Sequence, residues 1–470
     1  MDWNVGLLLL IADWTIRIGA LLWIPTRTRP AAARSWLLLI GFVPLLGVPI
    51  YLLLGHPWLS AERRRRQTRV SEVIREEQPR LSALRWTPQV DTVADELTTL
   101  VERQGAFMPV HGNQIQLLSN YQQSLQTLIA DIDLAQHHVH LLYYLMFDDE
   151  VGESIVQALE RASRRGVQCR LLLDAMGAKR GLRAYKERLR ASGVQVHEML
   201  PGGLRWYFSG RVDLRNHRKI AVIDNQVGTI GSQNLASPGF VPGFPNRELV
   251  ARCHGPIVPH LSALFAGDWY IETGERLEVG VDCPQQDDGV AAQLLPSGPA
   301  YPFENARDTV AAMIHLARRR ICLVTPYFVP DDATLGALRT AALSGVDVQL
   351  VLSRSNNQRL TAWAQQSYYR ELLACGVKIA LYRPHFLHAK HLSVDSTVAL
   401  IGSINLDIRS FALNAEVGLL CYDADLVRRL QAVEAEYLAD ADLLCAEQWQ
   451  QRPRWRRSLE GIARLSDSLL

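Results

Sequence analysis

Residues 216–234, NHRKIAVIDNQVGTIGSQN, and residues 387–405, LHAKHLSVDSTVALIGSIN, carry one pattern, H-x-K-x4-D-x6-G-S-x-N. His217, Lys219, Asp224, Gly231, Ser232 and Asn234 recur as His388, Lys390, Asp395, Gly402, Ser403 and Asn405, each displaced by 171 residues. Six identities at fixed spacing match by chance at about one start position in 10⁸. The stretch is therefore an internal duplication, and it divides the chain.

Within each copy, KIAVID and HLSVD alternate as a strand, a short turn follows, and VGTIGS or VALIGS returns. Residues i and i+2 of a strand share a face, so His217 and Lys219 project together, as do His388 and Lys390. Upstream, HVHLLYYLMF, DDEVGESIVQALERASRRG and VQCRLLLDAMG read as strand, amphipathic helix and strand, and RICLVTPYFVP, DDATLGALRTAALSG and VDVQLVLSRSN repeat that order. Two βαβ units predict an α/β fold of two similar domains, each a mixed, largely parallel sheet flanked by helices. Facing each other across a pseudo-two-fold, the halves would share one active site. The expected boundaries are 1–60 for a membrane anchor, 61–107 for a basic, amphipathic linker, 108–285 for the first domain and 286–470 for the second.

Lys+Arg 50 against Asp+Glu 48 leaves a net charge of +2, which argues against a nucleic-acid partner held by bulk positive charge. Seven dispersed cysteines with no paired spacing read as reduced thiols, hence a cytosolic setting for the globular part. The amino terminus differs. Val5 to Ile24 is long enough to cross a bilayer, with Asp13 and Arg17 placed i, i+4 to pair, and Trp36 to Leu54 is apolar throughout. The expectation is a transmembrane helical hairpin of two spans; re-entry or an interfacial position for one or both runs is the alternative. Arg63 to Arg66 and Arg69 after the second run favour a cytoplasmic catalytic body at a bacterial inner membrane, while Arg27, Arg29 and Arg34 between the runs oppose it. The Arg63 to Arg66 run reads as a topogenic signal, a grip on anionic headgroups, or both.

Two histidines, two lysines and two asparagines suit a phosphodiester. The lysines and asparagines can hold its charged oxygens, one imidazole can attack phosphorus, and the other can protonate the leaving oxygen before acting as base. No HExxH, acidic cluster or Cys/His set is present at ligand spacing, so neither a metal nor another cofactor is expected.

The duplicated H-x-K-x4-D motif resembles the phospholipase D superfamily, and YYLMFDD, YFVPDD, RNHRKIAVID, GSQN, FAGDWYIETGE and the apolar second run are similar to bacterial cardiolipin synthases of that superfamily. The resemblance implies transfer of a phosphatidyl group from one phosphatidylglycerol to another with release of glycerol, phospholipid and the bilayer being the partners. It implies His217 as nucleophile and His388 as general acid and base. Lys219, Lys390, Asn234 and Asn405 would bind phosphate, with Ser232 and Ser403 supporting it, and Glu248 and Glu416 would orient the histidines. At Glu248 the preceding Pro245-Asn246-Arg247 departs from the family's usual context. A hydrolase on the same site, or a non-catalytic membrane scaffold, are the competing readings.

Asp224 and Asp395 belong to the motif and are grouped with the catalytic residues His217, Lys219, His388 and Lys390, yet each precedes a turn, where aspartate commonly caps backbone amides, so a structural role is the first reading and contact with substrate the alternative. His137, His138 and His140 suit packing at a strand entrance better than a ligand set, and His391 faces away from the motif pair. Gly202 and Gly203 with Trp206, Tyr207 and Phe208 read either as an acyl-facing lip or as an ordinary loop. The closing segment WRRSLEGIARLSDSLL is basic and amphipathic and either lies on the bilayer or docks on the body.

Overall fold

Each copy of the duplicated stretch folds as an antiparallel hairpin. Ile220–Ile223 turns back into Val227–Gly231, and His391–Val394 into Val398–Gly402. The turns need left-handed backbone, with φ of 51° at Asp224, 57° at Asn225 and 52° at Asp395. Asp and Asn bear that conformation better than other side-chain-bearing residues. These statements rest on a computed structural model describing residues 3–28, 30–55, 59–77, 82–89, 92–201, 211, 213–241, 243, 245–280 and 289–465. Gly202, Gly203, Trp206, Tyr207 and Phe208 lie outside the described residues.

The βαβ runs give parallel trios, His138–Tyr143 with Gln168–Asp174 and Gln195–Met199, and Arg320–Val324 with Asp347–Ser353 and Lys378–Tyr382. Aspartates start the crossover helices Glu150–Arg164 and Asp332–Leu343. Asp149 accepts the Val151 and Gly152 N–H groups at 3.1 and 3.0 Å, and Asp331 accepts that of Thr334 at 3.0 Å.

From the middle outward, the first half orders its strands Val110–Leu118, Val250–His254, Val227–Gly231, Ile220–Ile223 and then its trio. The second half orders Val290–Ser297, Asn414–Cys421, Val398–Gly402, His391–Val394 and its trio, the same sequence of parts. The two inner strands pair antiparallel, with Val110 opposite Ala292, as a local two-fold requires, so one sheet runs through both halves. That sheet is mixed as expected but not largely parallel: parallel pairing is confined to the trios and the two-residue strand Arg215–Asn216, because a tight hairpin turn forces antiparallel neighbours around each motif. One core, containing Phe265, Trp269, Leu426 and Tyr437, lies along a face common to both halves, and each half has its own core on the other face.

Residues 61–107 are not a linker. Ala61–Glu77 buries Val70 and Ile74 beside Ile257–Thr273. Arg63 pairs with Glu272, and Arg66 donates to Ile271 O at 2.9 Å, capping the carboxyl end of that helix. Val93–Gly105 buries Leu97 and Val101 in the core of the second half. The heavy charge of this region concealed two narrow apolar stripes.

The described residues of 1–60, together with 211, 213 and 214, belong to a separate compact unit. Trp3–Trp23 continues into a short 3₁₀ turn, and Val5–Thr26 is long and apolar enough to span a membrane. Arg17 Nε lies 2.8 Å from Asp13, the pairing expected from their spacing. The second apolar run is not one helix. Pro30–Phe42 stops at Val43, and Pro44–Leu54 folds back on it, bringing Trp36 and Tyr51 to 5.5 Å between ring centroids. Fifteen residues of straight helix would separate those rings by roughly 22 Å. Gly47 permits the reversal, since a Cβ there would come within 2.9 Å of Ile40 Cα. Pro44 has no N–H to leave unpaired, and the Val43 N–H reaches Leu39 O at 2.9 Å.

The closeness of strand neighbours at the end of each motif hairpin is tested by Gly402→Ala. A Cβ at Gly402 would collide with Val417 O and lie 2.9 Å from Gly418 Cα. The variant should lose about 1–3 kcal/mol, read as a lowered thermal midpoint in detergent, whereas Gly336→Ala, with nothing within 4 Å, should not.

Candidate active site

The chain leaves each motif histidine on a short extension that pairs with the opposite half. Arg215–Asn216 runs parallel to the start of Asn414–Cys421, and the His217 N–H donates to Ala415 O at 2.8 Å. Phe386–Leu387 runs parallel to Asn246–Arg247, and the His388 N–H donates to Arg247 O at 2.8 Å. Each extension therefore lies beside the glutamate of the other copy.

That placement crosses the pairs. His217 Nδ1 lies 3.0 Å from Glu416, and His388 Nδ1 lies 2.8 Å from Glu248. A carboxylate only accepts, so it fixes the proton of each neutral imidazole on Nδ1 and leaves Nε2 with its lone pair. Burial lowers the His217 pKa to about 4, although Glu416 draws it back up, and burial lowers that of His388 in the same way against Glu248. The carboxylates are buried too. Burial raises Glu248, but His388 and Lys390 outweigh it and hold it at about 2; Glu416 is likewise held low by His217 and Lys219.

Both lysines belong to the same cluster. Lys219 Nζ donates to His217 O at 2.5 Å and Lys390 Nζ to His388 O at 2.6 Å, each side chain 2 % exposed. Burial lowers Lys390 to about 8 and Lys219 well below its ordinary value, while Glu248 and Glu416 oppose the effect at both. Each lysine also depresses or senses charge from the other half, so the two copies make one electrostatic site. Tyr144 completes one side, its ring 4.9 Å from that of His217 and 5.3 Å from Lys219 Nζ.

The remaining motif residues divide. Asn234 accepts the Leu145 N–H through Oδ1 at 3.1 Å, which leaves its amide nitrogen as the donating end. Asn405 is buried, and its Oδ1 has no partner among the described residues. Ser232 and Ser403, expected to support phosphate binding, have their hydroxyls bound within the protein. Ser403 donates to Glu416 Oε2 at 2.5 Å and accepts the Val417 N–H at 3.0 Å, while Ser232 accepts the Leu249 N–H at 3.0 Å. Their hydroxyls are fully engaged in fixing the glutamates and the chain that follows them.

Asp224 and Asp395, grouped with the catalytic residues above, stand apart from the cluster by the length of a strand, roughly 16 Å. Asp224 accepts the Gln136, His137 and His138 N–H groups at 2.7, 2.8 and 2.8 Å. Asp395 accepts those of Arg318, Arg319 and Arg320 at 3.1, 2.7 and 3.0 Å. They tie each hairpin turn to the entry of the neighbouring strand. Nor do the other histidines join the site: His140 stacks at 4.6 Å on Phe265, and His391 is buried near Tyr437.

Several residues escaped the sequence reading. Asn246 donates to Glu248 at 3.0 Å and Ser410 to Glu416 at 2.9 Å, and Asn414 lies 3.5 Å from Glu416. Both halves thus carry Asn-x-Glu, a second repeat visible in the letters. Arg218, between His217 and Lys219, donates to Asp268 at 2.6 and 2.5 Å and to Glu416 O at 3.1 Å, binding the halves from beneath. Among the described residues no group of three His, Cys, Asp or Glu side chains is placed to hold a metal ion.

Known proteins resemble this chain in sequence and in fold. The family described as "Cardiolipin synthase, PLD-like domain" matches residues 128–269 and 310–436, one segment in each half. The chain is 36% identical to cardiolipin synthase A of Pectobacterium carotovorum subsp. carotovorum (strain PC1), covering 97% of this chain and 96% of that one. It is 35% identical to cardiolipin synthase A of Serratia proteamaculans (strain 568), covering 97% and 96%. In fold it is similar to phosphatidylserine synthase of Haemophilus influenzae Rd KW20, with a TM-score of 0.61 and 14% identity over 80% of this chain and all of the other.

The contrast between glutamates and aspartates yields a test. Glu416→Gln should lower turnover by roughly 10²–10⁴ with folding retained, because the amide no longer fixes the His217 tautomer. Asp395→Ala should instead cost about 1–3 kcal/mol of stability and leave turnover per folded molecule within about threefold. Thermal midpoints and initial rates of the two variants, measured side by side, check both halves of the statement.

Proposed function

The chain belongs to the family of cardiolipin synthases with phospholipase D-like domains, and we propose that it moves a phosphatidyl group from one phosphatidylglycerol to a second through a phosphohistidine. The crossed His–Glu pairs around two buried lysines carry this reading. His217 Nε2 attacks phosphorus while the bond to the glycerol oxygen breaks, and His388 in its protonated form gives its Nε2 proton to that oxygen. The vacated His388 Nε2 then takes the proton of the incoming lipid hydroxyl, whose oxygen attacks phosphorus as the P–N bond opens. Lys219, Lys390 and the amides of Asn234 and Asn405 hold the phosphate oxygens throughout. Entry of an anionic phosphodiester offsets the burial that keeps His388 neutral in the resting site, which favours the protonated form where the first step needs it.

Labelled phosphatidylglycerol in liposomes tests the assignment. Cardiolipin and glycerol should form in equal amounts; phosphatidic acid would mark a hydrolase, and no turnover a scaffold. His217→Ala and His388→Ala should each abolish cardiolipin formation. With a donor bearing a good leaving group, His388→Ala should accumulate phosphatidyl-enzyme and His217→Ala should not, and wild-type rates in either variant would sink the two-histidine scheme.

The amino-terminal unit anchors the enzyme in the bacterial inner membrane with a cytoplasmic catalytic body. One span, Val5–Thr26, and a re-entrant hairpin at 30–54 replace the two expected spans. Phe42 and Leu45 at the hairpin tip are 82 % and 83 % exposed, as suits a wedge in lipid. Under this topology Arg27, Arg34 and the cluster at Arg63 to Arg66 all fall on one side, so the positive charges no longer conflict. A periplasm-dependent reporter fused before Met1 should therefore be active. Activity of a cytoplasm-dependent reporter at that end would restore two full spans.

A further inference from the structure

Arg454–Arg464 resolves the earlier choice between docking on the body and lying on lipid by using different faces. Ala463 is buried in the cluster that holds Tyr368 and Leu372 of Arg359–Ala374, and the Arg464 guanidinium sits 4.3 Å from the Tyr368 ring centroid. Glu460, also buried, pairs with Arg452. These contacts hold one side of the helix. Trp455, Leu459 and Ile462, at i, i+4 and i+7, form another stripe and are 60 %, 38 % and 64 % exposed. On Arg359–Ala374 beneath it, Leu360 and Trp363 are 45 % and 42 % exposed.

Exposed large apolar side chains on each of two helices that pack together, three of them in one stripe, are of the kind that marks an interaction surface. Its borders are basic, because Arg454, Arg456 and Arg457 are exposed on the same helix, and the Arg456 guanidinium lies 5.4 Å from the Trp455 ring centroid. Tryptophan and arginine around aliphatic residues on an amphipathic helix match the boundary between headgroups and acyl chains, where each arginine near an anionic surface strengthens binding about fivefold.

We propose that Arg454–Arg464 and the adjoining Leu360 and Trp363 form a second membrane contact of the catalytic body, with Trp455, Leu459 and Ile462 immersed in the interfacial zone of an anionic leaflet. The contact goes beyond the catalytic reading and stands or falls without it.

Full-length protein reconstituted in phosphatidylglycerol/phosphatidylcholine vesicles with brominated acyl chains tests the contact. The emission that disappears in Trp455→Phe should be quenched by brominated lipid and shielded from aqueous acrylamide, and the quenching should weaken in vesicles of phosphatidylcholine alone. Leu459→Asp combined with Ile462→Asp, at exposed positions, should abolish lipid quenching of Trp455 without shifting the thermal midpoint. Acrylamide quenching of wild-type Trp455 would leave the face in water, and shielding from both quenchers would place protein on it; either result overturns the proposal, as does lipid quenching that survives the double variant.

Discussion

Two carboxylates buried almost completely, Glu248 at 2 % and Glu416 at 0 % exposure, govern the rest of the catalytic unit. A buried charge without partners would cost several kcal/mol, so each must be surrounded by donors. Glu416 is met by His217, Ser403 and Ser410, and Glu248 by His388 and Asn246. In both cases the histidine comes from the opposite copy. The shared sheet, the paired extensions before each motif and the Arg218 bond to Glu416 O all hold the copies in the register that this crossing needs.

The consequence for chemistry is a site whose tautomers are fixed before substrate arrives. Each imidazole presents Nε2 toward the space between the copies because its Nδ1 is committed. The copies are related but not equivalent. Tyr144 stands edge-on to His217, whereas Phe386 is tilted 5.9 Å from His388, and the Tyr327 hydroxyl is tied to Asn357 at 2.8 Å. The two histidines therefore sit in different aromatic surroundings.

Much of this was legible in the letters. The motif hairpins and the βαβ units followed from local periodicity, although His217 and Lys219 stand just before the strand Ile220–Ile223, and His388 and Lys390 just before His391–Val394. The aspartates of the motif were legible as turn residues, though grouping them with the catalytic set overstated their reach. The crossing was not legible, because His217 and Glu416 are 199 positions apart and His388 and Glu248 are 140 apart, with no local signature joining them. The bonds of Ser403 to Glu416 and of Ser232 to the Leu249 N–H were hidden for a related reason: a hydroxyl beside a phosphate site and one bracing its neighbours leave the same letter. Hydropathy likewise counts apolar residues without direction, so it could not tell a straight span from Pro30–Phe42 doubling back through Pro44–Leu54.

The crossed pairs also bear on how such a chain arose. A single copy folded alone would hold a histidine without its carboxylate and a carboxylate without its histidine. Two identical copies related by a two-fold would satisfy both at once, so the smallest unit that closes both pairs is two copies face to face. Joining the copies in one chain removed the demand that they stay identical, and the unlike neighbours of His217 and His388 are the divergence that fusion permitted.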